Sequence, residues 1–383
     1  MRCKSIFFSL LLLPVLFLSA CKHFRKNTGC QMRLVLTIEQ NGEVVSVGKK
    51  AKITEILRKR LLEFGFEKDQ IVFNDEGKNL QLILTNVDMK NEKKLMSASE
   101  FHLRTNEEYC SMIKFLISSN GSVRFWETIE SGESLVKLIA LDSDLGLRDS
   151  LLASKTNIRP DSANADHSLQ AQLKKRRHNI ALSESQLKHP LLSILQLNIK
   201  QTEDGKLEAV AGPVAGFSLP ADTAAVNRYL NSDLAHHKLP ANFVFKWSSS
   251  YSKGTPVLAL YVLNYSRKEN DGPAMVCSSF KGVRKEYAQD KQDEPKIDIA
   301  MSPSDAFVWK RLTNMANGQC IAMEINDRVI SAPRITGEVQ NGRSSVTGAF
   351  DEPDVNAMVA LMNNPVQKEK IQVVSLTTKG CQE

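Results

Sequence analysis

Cysteine is the residue type here with the widest chemistry, and the seven copies sit in different settings. Cys21 follows Leu18-Ser19-Ala20. The small residues leave room for a peptidase groove at the bond before it, and the thiol beside a new N-terminus can be acylated. Cys3 lies in the segment such a cleavage removes. Cys30, Cys110, Cys277, Cys320 and Cys381 remain, an odd number with no CxxC spacing, so at most two bridges form and their pairing is unreadable. Disulfides persist outside the cytoplasm, yet the scatter of these five reads as buried thiols. His236 and His237 are adjacent and project in different directions on a helix or strand. No Cys or Asp completes a metal spacing with them, so the pair reads as a solvated loop ahead of Leu239-Pro240. Asp142-Ser143-Asp144-Leu145-Gly146 starts like a calcium loop but lacks the acidic residue that closes one. G-x-S-x-G, H-E-x-x-H and phosphate-loop patterns are absent. The chain therefore reads as a non-enzyme, with no catalytic residue, metal, cofactor or small-molecule substrate assigned.

Compartment follows from the first twenty residues. Arg2 and Lys4 precede an almost unbroken apolar run, Ile6 to Leu18. That run is short of the ~20 residues that cross a bilayer core and fits the core of a signal peptide. Followed by Leu18-Ser19-Ala20-Cys21, it resembles the lipobox of bacterial lipoproteins rather than an ordinary secretory signal. The resemblance implies a signal peptide over 1–20, lipid on Cys21, and a polar, basic tether over 21–31. Acyl chains contribute about 0.8 kcal/mol per buried methylene, and two or more hold a protein stably at a membrane. The membrane is thus the first expected partner. Lys22 stands where an Asp commonly marks inner-membrane retention, which favours the outer membrane by analogy. Losing Arg2 and Lys4 lowers the formal charge of +7 by two. So mild a balance argues against a nucleic-acid partner and is compatible with weak attraction to anionic lipid. Lys174-Lys175-Arg176-Arg177-His178 is the one dense basic cluster; it could touch lipid headgroups or an acidic partner, but reads more simply as a solvated face.

The elements that follow are legible mainly at the two ends. Met32–Glu39 alternates as a strand. Ile53, Ile56, Leu57, Arg60, Leu61 and Phe64 recur at the spacing of one buried helix face, with Lys52, Glu55, Lys59 and Glu63 elsewhere. Gly65 is a left-handed stop with Phe66 able to fold back. Strands at Ile71–Phe73 and Leu80–Leu84 complete a βαββ unit. Glu107–Ser118 predicts a helix with Met112, Phe115 and Leu116 inward. Arg148–Pro190, rich in polar residues, reads as an insertion, part helical and part disordered. Strand character returns at Ile194–Ile199, Phe243–Trp247 and Val257–Leu263, with a helix over Thr223–Leu230. Near the C-terminus come a strand at Ile297–Met301 and a helix opened by Ser302 as cap, Pro303 at its first position and Asp305 closing a capping box. Ala306, Trp309, Leu312 and Ala316 face inward, and Gly318 ends that helix. Strands Cys320–Ile325 and Val329–Ser331 meet at an Asn326-Asp327 hairpin turn, and Pro333 ends the second by removing a donor. After a strand at Ser344–Thr347, a helix opens at Asp351 with Asp354 in its first turn. Val355, Met358, Val359 and Met362 face inward, Pro365 stops it, and Lys370–Leu376 is a last strand. Trp126, Trp247 and Trp309 read as core anchors. The fold class is α+β.

Read together, IAMEINDRVISAPRITGEVQNGRSSVTGAFDEPDVNAMVALMNN resembles the head of the first periplasmic domain of SecD, an accessory subunit of the Sec translocase. The motifs are Ser331-Ala332-Pro333, the glycine-containing loop from Gly337 to Gly342, and Val346-Thr347-Gly348-Ala349-Phe350. Upstream, KIDIAMSPSDAFVWKRLT is similar to the strand and helix that end in F-x-x-L-T, with Trp309 at the aromatic position. Downstream, KEKIQVVSLTTKG is similar to the strand before the second membrane helix of that family. EILRKRLLEFGFEKDQIVF matches an early segment through Leu57, Arg58, Arg60 and Gly65. AVNRYLNSDLAHHKLPANFVFKW resembles a mid-domain segment, with Leu239-Pro240 and Trp247 as landmarks. Asn326-Asp327 departs from the family's usual Asp-Gly; Asn and Asp tolerate positive φ less easily than Gly.

The resemblance implies a base with ferredoxin-like βαβ elements and an α+β head. The expected division is a base element over 32–100, a middle region over 101–290 holding the insertion at about 148–190, and the head with the final base strand over 291–383. The family's proton-conducting membrane helices would lie where this sequence has its lipobox and beyond Glu383, so the motor is not expected here. The expected function is a lipid-anchored envelope protein facing the periplasm, binding exported, unfolded polypeptides as an accessory to Sec-dependent translocation, with Sec translocon subunits as partners. Gly337, Gly342 and Arg343 are the candidate polypeptide contacts. The alternative is a structural or surface-exposed lipoprotein reusing the fold for adhesion or envelope interaction.

Overall fold

A computed structural model describes residues 30–87, 106–156, 188–249, 257–265, 272–277, 279–287, 295–348, 350, 352–366 and 369–381. Cys21, the Lys174–His178 cluster and Asp351 lie outside the described residues.

The first sheet is ordered β18 (Lys370–Lys379), β1 (Cys30–Gln40), β4 (Asn79–Val87), β3 (Ile71–Glu76), with β2 (Glu43–Val44) folded back on β1. Met32, Leu34, Leu36 and Ile38 of β1 are buried on one face, the period-two pattern of a half-covered strand. Over them lie α1 (Val47–Phe64) and α2 (Asn106–Ser118), burying Ile53, Leu57, Leu61 and Phe64 from one and Met112, Ile113 and Leu116 from the other. Gly65 takes φ 127° at the end of α1, and the Phe66 N–H reaches back to the Leu61 carbonyl at 2.9 Å. The first and last strands are neighbours, with Gln31 opposite Lys379.

Two expectations change here. The segment read as tether through residue 31 is already strand at Cys30 and Gln31. The thiols read as scattered include one bridge, Cys30–Cys381, across 351 residues of sequence. Sheet pairing puts their Cα atoms 4.3 Å apart, and no sequence spacing encodes that proximity. Cys277 and Cys320 are buried free thiols.

An eight-stranded sheet runs β12 (Met275–Cys277), β5 (Val123–Glu127), β15 (Ile321–Ile325), β16 (Arg328–Ser331), β10 (Phe243–Ser248), β11 (Leu258–Asn264), β9 (Val214–Ser218), β6 (Gln196–Leu197). Its halves join where β16 and β10 pair in parallel, at Trp247↔Arg328 and Ser248↔Val329. The β10–β6 half is covered by α3 (Ser131–Thr156), α4 (Thr223–Leu230) and α5 (Asp233–Lys238), through Leu138, Leu141, Leu145, Val226 and Leu230. A small hairpin, β7 (Ile199–Gln201) with β8 (Leu207–Ala209), stands apart.

Residues 142–146, whose start resembles a calcium loop without its closing acidic residue, lie inside α3. Asp142 is buried and accepts from the Leu191 and Leu192 N–H groups at 2.9 and 3.0 Å and meets His189 Nδ1 at 2.9 Å. Asp144 pairs instead with Lys238 at 2.7 Å. The same helix covers the first nine residues of the stretch read as an insertion from Arg148, while residues 157–187 lie outside the description. His236 and His237 are exposed in the last turn of α5, a helix rather than a loop.

The third sheet, β13 (Gly282–Tyr287), β14 (Pro295–Ala300), β17 (Arg343–Val346), packs with α6 (Pro303–Met315) and α7 (Glu352–Asn363). Ser302 caps α6 by accepting from the Asp305 N–H at 3.2 Å, and its hydroxyl donates to the Asp305 carboxylate at 2.9 Å, a variant of the expected box. Val355, Met358, Val359 and Met362 of α7 face this core, while Ala357, Ala360 and Leu361 enter the first one. One helix thus serves two cores. The architecture is α+β, as the patterning implied.

Candidate functional site

The loop from Gly337 to Arg343 lies along α6 and belongs to the connection from β16 to β17. The Val339 N–H donates to Thr313 Oγ1 at 3.0 Å, Lys310 Nζ sits 3.4 Å from Glu338, and the Met301 N–H donates to the Gly342 carbonyl at 2.9 Å. Gly342 has φ 64°, and a Cβ there would stand 2.4 Å from Cβ of Ala306. Its glycine is therefore explained by close packing against α6. Gly337 is half-buried at the far end of the loop, and nothing would crowd a Cβ there. Arg343 opens β17, exposed, with its N–H held by Asn341 Oδ1 at 3.0 Å. Gly342 and Arg343 stand together, while Gly337 is separated from them by the run of the loop.

A charged cluster gathers at the β15–β16 turn. Asn326 and Asp327 have φ of 51° and 63°, the doubly positive turn that matches strand twist. Glu324, fully buried in the middle of an otherwise apolar strand, accepts from Trp126 Nε1 at 2.6 Å, Arg124 Nη1 at 3.0 Å and the Asp327 N–H at 3.0 Å. Lys246 Nζ lies 2.7 Å from Asp327, and Arg124 is 3.6 Å away. The Lys246 hydrogen bond holds the Asp327 carboxyl below the usual carboxylate range, against the opposing effect of burial.

A second buried charge sits where the first core meets the third. Arg60 is fully buried, and its guanidinium donates to the carbonyls of Leu116, Ser119, Asn120 and Asn364 at 2.7–3.3 Å. These are the ends of α2 and α7, whose unpaired carbonyls need donors. Burial pulls Arg60 down to about 9, so it stays protonated at neutral pH. Arg58 instead lies over the Phe73 ring at 5.2 Å. Each tryptophan is a core anchor as read, and each N–H has a partner: Glu324 for Trp126, Asn227 for Trp247 and Ser344 for Trp309.

The turn cluster and the Cys30–Cys381 bridge were not found from sequence. Glu324 did leave a signal, a carboxylate inside Ile321–Ile325, but its partner Arg124 lies 200 residues upstream. Among the described residues, no three His, Cys, Asp or Glu side chains converge as metal ligands, and no helix is long and apolar enough to cross a membrane.

Residues 270–364 match the family model of the SecDF P1 head subdomain. The chain is 27% identical over 236 residues to the protein translocase subunit SecD of Rhodothermus marinus, across 61% of this chain and 34% of that protein. It thus spans about a third of the length of this curated relative. A crystal structure of SecDF in a super-membrane-facing form is 12% identical with a TM-score of 0.40, over 91% of this chain and 30% of that one. The structure of SecDF as a membrane component that enhances protein export is 13% identical with a TM-score of 0.37, over 90% and 98%. The chain carries a domain like the first periplasmic domain of SecD, as its C-terminal motifs implied.

Proposed function

We propose that this chain is a non-enzymatic envelope lipoprotein that binds exported polypeptides as an accessory to Sec-dependent translocation. The observation that carries the reading is the head-subdomain match over 270–364 together with the 236-residue likeness to a translocase subunit. Lipid on Cys21 holds the body at a membrane, facing the periplasm. The Gly337–Arg343 loop is the proposed contact with unfolded chains, with Gly337 and Arg343 reaching the client and Gly342 seating the loop. In-cell photocrosslinking from position 343 tests this: exported precursors and translocon subunits are expected among the trapped partners, and their consistent absence sinks the export role. Fractionation tests the anchor separately. Cys21→Ser is expected to leave the membrane, and an unchanged membrane-bound fraction contradicts lipidation.

A further inference from the structure

The eight-stranded sheet contains a notch. Strand β10 pairs with β11 from Phe243 to Trp247, but with β16 only at Trp247 and Ser248. The cause is the hairpin: β16 begins at Arg328, and the Asn326-Asp327 turn directly before it bends the chain away. Phe243 to Lys246 therefore have a strand partner on one side only, among the described residues. In an antiparallel ladder, successive residues aim their backbone groups to alternate sides. Asn242 aims toward β11, since its carbonyl accepts from the Tyr265 N–H at 2.7 Å; Ser249 aims toward β16, since its N–H donates to the Val329 carbonyl at 2.8 Å. The odd-numbered residues thus face away from β11. The Phe243 N–H is taken by the Pro240 carbonyl at 3.0 Å, which leaves the N–H and C=O of Phe245 at the open edge.

A recess of about 290 Å³ opens on this edge, between Asn227 of α4 and Asn231 just past its end on one side and Asp327 of the turn and Arg328 at the start of β16 on the other, with Phe245, Lys246 and Trp247 between them. Asn227 gives its Oδ1 to Trp247 Nε1 at 3.0 Å, which leaves its amide N–H groups for another acceptor. The charges are unevenly used. Lys246 and Arg124 are engaged by Asp327 and Glu324. Arg328 is exposed, with no carboxylate at ion-pair distance among the described residues. The notch therefore offers the backbone donor and acceptor of Phe245, an amide wall and one exposed cation, Arg328, which makes no ion pair among the described residues although its charge also acts on Asp327.

We propose that this notch takes an extended segment of another polypeptide as an added strand beside Phe243–Lys246, in line with β16, and favours segments whose acidic side chain meets Arg328. The inference rests on the polypeptide-binding reading and supplies the backbone pairing that the Gly337–Arg343 loop lacks. Strand addition draws affinity from main-chain hydrogen bonds and selectivity from side-chain contacts. Exposed edges are ordinarily blocked. Here the turn on one side and α4 on the other confine access to about four residues, or roughly 13 Å of strand.

The test uses the full chain in detergent and short fluorescent peptides of alternating Val and Thr, with one central Glu or Gln and a benzophenone at one end. The Glu peptide is expected to bind several-fold tighter than the Gln peptide, and Arg328→Gln to erase that difference without weakening the Gln peptide. N-methylation of the alternate backbone nitrogens that face the edge is expected to weaken binding about tenfold, one hydrogen bond's worth, while methylation of the other set leaves it unchanged. Crosslinks are expected on α4 and β10. Equal effects of the two methylation sets, or crosslinks confined to the Gly337–Arg343 loop, overturn the notch and leave polypeptide binding standing. Peptides that neither bind nor crosslink anywhere overturn both readings. A concentration-dependent dimer that the peptide dissociates would make a second copy the occupant and overturn the proposal as stated.

Discussion

At the scale of single residues, two buried charges dominate. Glu324 is buried and accepts from three donors; removing it strands the buried Trp126 N–H, while the half-exposed Arg124 keeps Asp327 at 3.6 Å. Glu324→Ala is expected to cost about 1–3 kcal/mol, the range for leaving one buried donor, the Trp126 N–H, without an acceptor. Glu324→Gln, which keeps an acceptor, should cost visibly less; urea denaturation midpoints compare the two. Arg60→Met, similar in length but without donors, leaves carbonyls of α2 and α7 unsatisfied, at about 1–3 kcal/mol for each buried group that finds no water. Asp327 predicts a pH effect. Lys246 holds its carboxyl low in the folded state, so the pair's stabilisation is present above the unfolded carboxylate value of about 4 and fades as pH falls through the folded one. Melting temperatures between pH 6 and pH 3 should therefore fall more in the native chain than in Lys246→Met. Equal falls would show that Asp327 is not held low.

At the scale of elements, the helices and strands nearest the ends follow from local pattern, and their register follows from turns. The Asn326-Asp327 turn sets the β15–β16 pairing, and β16 in turn decides how far β10 is covered. Gly342 shows the opposite dependence, since its residue type reflects what packs against it. A Cβ there meets Ala306 and must also tolerate a φ of 64°. Gly342→Ala is expected to destabilise by about 1–3 kcal/mol from overpacking and strain together. Adding Ala306→Gly should recover the overpacking part alone, leaving the cost of positive φ, and thermal unfolding of the single and double variants separates them. The middle of the chain was least legible for a comparable reason. Helix α3 carries Asp142 in its interior, and the carboxylate is tolerated there because the Leu191 and Leu192 N–H groups and His189 meet it. A carboxylate inside a helix looks polar until its distant donors are known.

At the scale of the whole molecule, the pairing of β1 with β18 brings both ends of the described chain to one corner, and Cys30–Cys381 fastens them there. Loop-closure entropy alone gives a bridge across so long a loop about 6 kcal/mol, above the ~2–4 typical of native bridges. Cys30→Ser is expected to lower the unfolding midpoint accordingly and to abolish the mobility difference between oxidised and reduced protein on gels. No change in either would mean that the bridge does not form.

The amino-acid sequence by itself determined the α+β class, the elements at both ends, the turn at Asn326-Asp327, the packing role of the tryptophans and the likeness of the C-terminal third to a SecD head. Each rests on residues within a few positions of one another, where periodicity, caps and turn chemistry act directly. The tertiary structure alone decided the disulfide partner, the donors of Glu324 and Arg60, the two cores served by α7 and the open edge of β10. Those depend on atoms brought together from up to 351 positions apart. Hydrophobic burial selects such contacts collectively, and it is non-directional, so no local run of residues records which distant backbone group will meet which charge.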